Sequence, residues 1–367
     1  MKKVYVILFF VLVLCWIKPV RAEDEIQIPQ LAELQEAGDA LLDDRKTDIR
    51  EIFSRLMQGE DPLSAAELEQ QIKSLLSEFV DNATLLLRQI LLLLLFSAVF
   101  RVLSGIVQDT RISETGFYIL YMLLATLLIR DFSEETEKIG TLLQELCSFM
   151  QVASAACSLA MVGAGEVTAA AFFTQGLLLL VTLTQWLIGR VFLPVTQCSV
   201  LLAVFDRINE KRLLSDLGEL MEKAVLWGMK TVIAAVTGVQ ILRNMLAPAL
   251  DTLKRSALGK AAQAIPGIGN MVGSAAEVLL ASAVLIKSCL GIVILLILVM
   301  AGLSPLLHMV LKCAVFYLAA AFGQPLADPR IVGCIRAVAR GYVICLKILS
   351  GTLLLFFLAV AVMAKTG

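Results

Sequence analysis

Residues 279–302 read Leu-Leu-Ala-Ser-Ala-Val-Leu-Ile-Lys-Ser-Cys-Leu-Gly-Ile-Val-Ile-Leu-Leu-Ile-Leu-Val-Met-Ala-Gly, with Lys287 as the single charge. A helix needs about 20 predominantly apolar residues to cross the hydrocarbon layer, so this run reads as a membrane helix. Lys287 would either snorkel to the headgroups or pair with an acid. Other apolar segments lie at 85–106, 116–130, 142–162, 167–188, 190–206, 224–242, 304–322 and 343–364. Segment 142–162 is the weakest, because Glu145 and Gln151 interrupt it and small residues fill it. The expected fold is an all-α, polytopic membrane protein with seven to nine crossings. Composition agrees: of 367 residues 59% are hydrophobic and 17% charged, and mean hydropathy is +0.84. An ordinary soluble domain is about half apolar and about a quarter charged. A soluble enzyme and a disordered chain are therefore excluded. A net charge of -1 argues against a nucleic-acid binder.

Charge divides the chain into three parts. Residues 1–22 carry four basic side chains and no acid, residues 23–84 carry a net charge of -11, and residues 85–367 carry a net charge of +6. Lys2 and Lys3, the apolar run from Val4 to Ile17 and the small residue Ala22 have the form of a secretory signal peptide cleaved after Ala22. An uncleaved anchor is the alternative. Either places residues 23–84 outside the cytoplasm. That acidic segment repeats Leu31, Leu34, Leu41, Leu42, Ile49, Ile52, Phe53 and Leu56 at helical spacing. A second helix is expected from about Pro62 to Val80, with Asp61-Pro62 and Ser64-x-x-Glu67 as its start signals. The segment reads as a docking element or as a solvated lead-in. The cysteines outside the leader are scattered through apolar segments with no C-x-x-C pair, and His308 is the single histidine. These patterns predict no disulfide framework, no metal site and no cofactor.

Three charged stretches, 207–223, 243–264 and 328–342, have the pattern of amphipathic interfacial helices or of cytoplasmic connectors. With residues 23–84 outside, the 107–115 turn becomes cytoplasmic and the acidic 131–138 loop external, and if 142–162 spans, the 207–223 loop is cytoplasmic. The basic stretches 243–260 and 330–340 would then fall outside. Either an extra crossing or re-entrant segment lies near 262–278, or one segment does not span. Pro266, Gly267 and Gly269 break helix within Ile265-Pro266-Gly267-Ile268-Gly269-Asn270 and fit a re-entrant turn or a surface loop.

The chain also matches itself at an offset of 111 residues. Glu166-Val167 meets Glu277-Val278, Pro194 meets Pro305, and Ala203-Val204-Phe205 meets Ala314-Val315-Phe316. The pattern predicts an internal duplication, with membrane repeats at 163–242 and 273–367 joined by a connector at 243–272 and preceded by membrane helices at 85–162. Duplicated halves in transporters place polar sites near the repeat interface. Glu166 and Glu277, together with Lys287, are therefore the candidate path-lining residues, and each glutamate also fits a position at the water boundary.

Four stretches carry a resemblance to a known family: Ala169-Ala170-Ala171-Phe172-Phe173, Ile265-Pro266-Gly267-Ile268-Gly269, Ser282-x-x-Leu285-Ile286-Lys287, and Ala319-Ala320-Ala321-Phe322-Gly323-Gln324-Pro325-Leu326-x-Asp328-x-Arg330-Ile331. Over nearly its whole length the chain resembles the stage III sporulation protein AE family of endospore-forming bacteria, with Ile286 where Leu is usual. The resemblance implies a component of the sporulation channel complex in the mother-cell membrane around the forespore. Its implied partners are a cytoplasmic ATPase and ring-forming proteins, besides the lipid bilayer and other copies of itself. Two roles follow from it: a channel or permease core, and a structural hub without a path of its own. An enzyme is not expected, since the chain has no H-E-x-x-H, G-x-S-x-G or Walker A motif.

Overall fold

The structure is a computed structural model that describes residues 29–42, 49–58, 87–92, 94–99, 110–208, 214–263 and 269–365. The leader, the helix expected at Pro62–Val80, and Pro266 and Gly267 lie outside the described residues. Every described element is helical: α1 (Pro29–Leu42), α2 (Ile49–Gln58), α3 (Leu87–Val99), α4 (Thr110–Gly163), α5 (Val167–Leu183), a π-helical segment (Thr184–Phe192), α6 (Leu193–Phe205), α7 (Ser215–Gln263), α8 (Gly269–Leu326) and α9 (Pro329–Lys365).

Sequence reasoning expects seven to nine crossings, whereas five helical runs among the described residues are long and apolar enough to span a bilayer. Hydropathy divides what the backbone leaves continuous. Segments 116–130 and 142–162 are two stretches of α4, which has 54 residues and is about 81 Å long at helical rise. The acidic 131–138 stretch is therefore helix and not an external loop. It contains neither Gly nor Pro, its Glu and Lys residues favour helix, and Arg130 pairs with Glu134 one turn on at 2.8 Å. Segments 279–302 and 304–322 likewise merge in α8, and 167–188 and 190–206 join through the π-helical segment. The charged stretches expected to form separate interfacial helices belong to longer ones. Residues 215–223 begin α7, 243–263 continue it, and 329–342 begin α9.

The five long helical runs among the described residues reverse direction four times along one bundle. Gly140 faces Leu193, and Ser158 hydrogen-bonds Thr174 through their hydroxyls, so α5–α6 runs antiparallel to α4. Gly218 lies against the Ser199 carbonyl and Gly228 against the Phe192 ring, so α7 reverses again. Contacts from Gly333 to Arg207 and from Gly341 to Val200 and Phe132 set α9 antiparallel to α6 and parallel to α4. The α8–α9 hairpin forms the largest interface of the bundle. Its turn is closed by Asp328, whose Oδ1 accepts the Arg330 N–H at 2.8 Å, with Pro329 as the first helical residue. The α6–α7 loop is closed by buried Asp206, whose Oδ1 accepts the Leu214 N–H at 2.7 Å.

The π-helical segment stands directly before Pro194. A proline lacks the N–H and crowds the carbonyl four residues back, and the wider π turn relieves that crowding. Thr184 and Thr196 donate their hydroxyls to the carbonyls of Leu180 and Phe192 at 2.8 and 2.7 Å. At the other end of the molecule's sequence, Leu34, Leu41 and Leu42 of α1 and Ile52, Phe53 and Leu56 of α2 are buried in the same core as the long helices. The described parts of the acidic segment, 29–42 and 49–58, are thus packed on α4 and α8.

Candidate functional site

Two ionic clusters are buried in this bundle. The first joins Glu166 to Lys287. Glu166 is positioned by the end of α4, where Gly165 takes a left-handed conformation (φ 77°). The Glu166 N–H then reaches the Met161 carbonyl and the Gly165 N–H reaches that of Val162, both at 2.9 Å. This paired closure needs φ > 0 at its central residue, which glycine supplies. The turn is so short that Glu166 also starts α5, yet its side chain does not cap that helix. It receives Lys287 Nζ on both carboxylate oxygens, at 3.0 and 3.1 Å. Lys287 is 0% exposed and Glu166 16% exposed. An ammonium in apolar surroundings is strongly disfavoured without a partner, and here the partner lies 121 residues away in sequence.

Lys287 thus pairs with Glu166, the residue that the 111-residue offset matches to Glu277. Glu277 lies within α8, with its side chain outside the described residues. Gly269 is the first residue of α8, Pro194 is at the start of α6, and Pro305 is inside α8.

The second cluster was not legible in the sequence. Lys312 of α8 donates to Asp131 Oδ1 at 3.1 Å and to Glu135 Oε2 at 2.7 Å, both on α4. Tyr342 of α9 donates its hydroxyl to Asp131 Oδ2 at 2.5 Å. His308, one turn from Lys312 on α8, places Nε2 3.5 Å from Glu135 Oε1. Phe132 and Phe316 pack on the Tyr342 ring with centroids 5.1 and 4.9 Å away, and Lys312 stands 5.7 Å from the same centroid. Three helices are tied at one level by charge-assisted hydrogen bonds enclosed in aromatic packing. The spacing Asp131-x-x-x-Glu135 puts both acids on one face of α4, and His308-x-x-x-Lys312 puts both basic groups on one face of α8. That paired i,i+4 spacing was the signal available in the sequence.

Both clusters pair cations with carboxylates from different parts of the bundle. Their chemistry is charge neutralisation between helices.

A sequence model of the family described as Stage III sporulation protein AE (spore_III_AE) matches residues 47–367. The chain belongs to this family. Stage III sporulation protein AE of Bacillus subtilis (strain 168) is 23% identical over 336 residues, which cover 91% of this chain and 83% of that protein. No solved structure matches. The family and the apolar helices together make this a sporulation-related membrane protein. Both ionic clusters lie inside the matched region, and Lys287 closes one of the stretches that carry the resemblance to the AE family.

Proposed function

We propose that the chain is the multi-pass component of the channel complex between mother cell and forespore, in the mother-cell membrane, where it forms part of the wall of the conduit. A cytoplasmic ATPase, ring-forming proteins and further copies of the chain are its partners in this reading. Family membership and five long apolar helical runs support the assignment to that membrane complex. The wall role rests on one observation, the centre of the bundle. There Ile294, Ile297 and Leu298 of α8 and Ile348, Leu349 and Phe356 of α9 belong to one core, each no more than 2% exposed. A conduit for ions or metabolites needs a hydrated or polar lining, and these side chains supply none. Conduction then takes place between chains and not through the core of one. Glu166, neutralised by Lys287, acts as a latch between the two halves in this reading, and Glu277 is left as the carboxylate for the path. The offset-111 duplication fits the course of the chain, since each half runs along one long helix and returns along another.

The test is release of a small trapped dye from liposomes holding the purified full-length chain. The expected result is no release at one chain per vesicle and a steeper than linear rise with protein density. Release that is linear from one chain per vesicle overturns the wall role in favour of a single-chain permease. An absence of release at every density, with sister subunits included, leaves the structural hub. Independently, deletion of the gene in its endospore-forming host is expected to arrest forespore development, and normal spore yield would remove the assignment to the complex.

A further inference from the structure

We propose that the hydrocarbon layer of the membrane lies between the two ionic clusters, and that the part of the bundle beyond Asp131, Glu135 and Lys312 stands outside it. Three uncharged runs carry the inference. Residues 167–189 between Glu166 and Arg190 hold no charged residue, nor do 288–307 between Lys287 and His308, nor 348–364 between Lys347 and Lys365. They measure about 34, 30 and 26 Å at helical rise, against a hydrocarbon thickness of about 30 Å. The antiparallel contacts bring them side by side. α5 and α8 both start their runs at the Glu166–Lys287 pair, and α9 enters its run just after Tyr342, which is bonded to the second cluster. Such coincidence of three runs at one level is expected of helices that share one bilayer.

The tryptophans are an independent sign. Trp186 and Trp227 are 59% and 72% exposed. Trp186 is one turn from Arg190, and the Gly228–Phe192 contact brings Trp227 and Lys230 to the same level. Exposed tryptophan beside exposed basic residues is the composition of a membrane–water interface. Both lie at the second cluster's end of the uncharged runs. Charges abound beyond it: Asp206, Arg207, Glu219 and Glu222 face the same end of the bundle as Arg330 and Arg336. Charged side chains in that number are too costly for a bilayer interior. Segment 116–130 of α4, apolar enough to be counted as a crossing, is therefore placed outside the hydrocarbon, as is Cys198 on α6.

Cys198 supplies the test, because it is the one exposed cysteine among the described residues. The full-length protein with Cys15→Ser, in membrane vesicles opened by freeze–thaw, is treated with a membrane-impermeant maleimide. Cys198 is expected to label and the Cys198→Ser variant to lose that label. Leu179→Cys, placed in the Cys198→Ser chain at an exposed position of the 167–189 run, should stay unlabelled until SDS dissolves the membrane. Reaction needs a hydrated thiolate, so labelling of Cys198 should be faster by about tenfold or more. Labelling of Leu179→Cys in the intact membrane, or failure of Cys198 to label before SDS, overturns the placement.

Discussion

Lys287 and Lys312 are both ammonium groups on α8, the first paired with Glu166 and the second with Asp131 and Glu135 of α4. Removing one partner of a buried pair leaves an uncompensated charge, at a cost of about 3–5 kcal/mol, whereas removing both is often near neutral. Lys287→Met is therefore expected to lower stability in detergent by about 3 kcal/mol or more, and adding Glu166→Gln should recover most of that loss. Equal losses for the single and the double variant, read from chemical unfolding, would show that the pair is not coupled. At the second cluster, Lys312→Met leaves Asp131 and Glu135 facing each other and should cost about 3–5 kcal/mol. Tyr342→Phe removes one hydrogen bond to a charged group and should cost about 1.5–3 kcal/mol. The reverse order by the same measurement would argue against Lys312 as the centre of the cluster. Half of this site could be read from sequence. A lysine inside an apolar run announces a partner, but nothing local names it, since the contact spans 121 residues. Asp131 and Glu135 were hidden for the opposite reason. Six charged residues between positions 130 and 138 look like a solvated loop, and only the packed α8 reveals that two of them face inward.

At the scale of the helix, the apolar segments fall inside helices among the described residues, but their ends do not mark helix ends. Hydropathy reports which stretches leave water, while helix continuity depends on Gly, Pro and hydrogen-bond competitors. Residues 131–138 change polarity without a breaker, so α4 runs on. Pro305 signals an interruption that α8 absorbs without ending. Glycine offers a direct test of helix contact. A methyl added at Gly341 would stand 2.3 Å from Val200 Cγ2 and 3.0 Å from two carbons of the Phe132 ring. Val200 and Phe132 are both buried and have little room to yield. Gly341→Ala is expected to destabilise by about 1–3 kcal/mol through overpacking. Gly238 in α7 has nothing within 4 Å of the same added methyl, so Gly238→Ala should stabilise by up to about 1 kcal/mol through helix propensity. Thermal unfolding of the two variants in one detergent compares them, and a gain for Gly341→Ala would contradict the α6–α9 packing.

Across the whole molecule, the core is continuous from α1 to α9. The all-helical, multi-pass class was legible in composition, but the packing of the acidic segment on the long helices was not, because Leu and Phe at helical spacing do not say which surface they meet. Phe53 is 7% exposed in that core. Phe53→Ala is expected to cost about 3–5 kcal/mol in the stability of the entire protein. If only a local change in protease sensitivity near residue 53 followed, with global unfolding unaltered, α2 would be an independent unit. The second ionic cluster also fixes an order of events during synthesis. Lys312 is made 177 residues after Glu135, and Tyr342 is made 211 residues after Asp131. At typical elongation rates the carboxylates of α4 wait about 10 to 40 s for their cation. A newly inserted α4 must keep those acids in contact with water or a chaperone throughout that interval, so the bundle closes only after the ribosome has nearly finished, and a chain truncated before α8 would be left with two permanently orphaned acids for quality-control proteases to recognise.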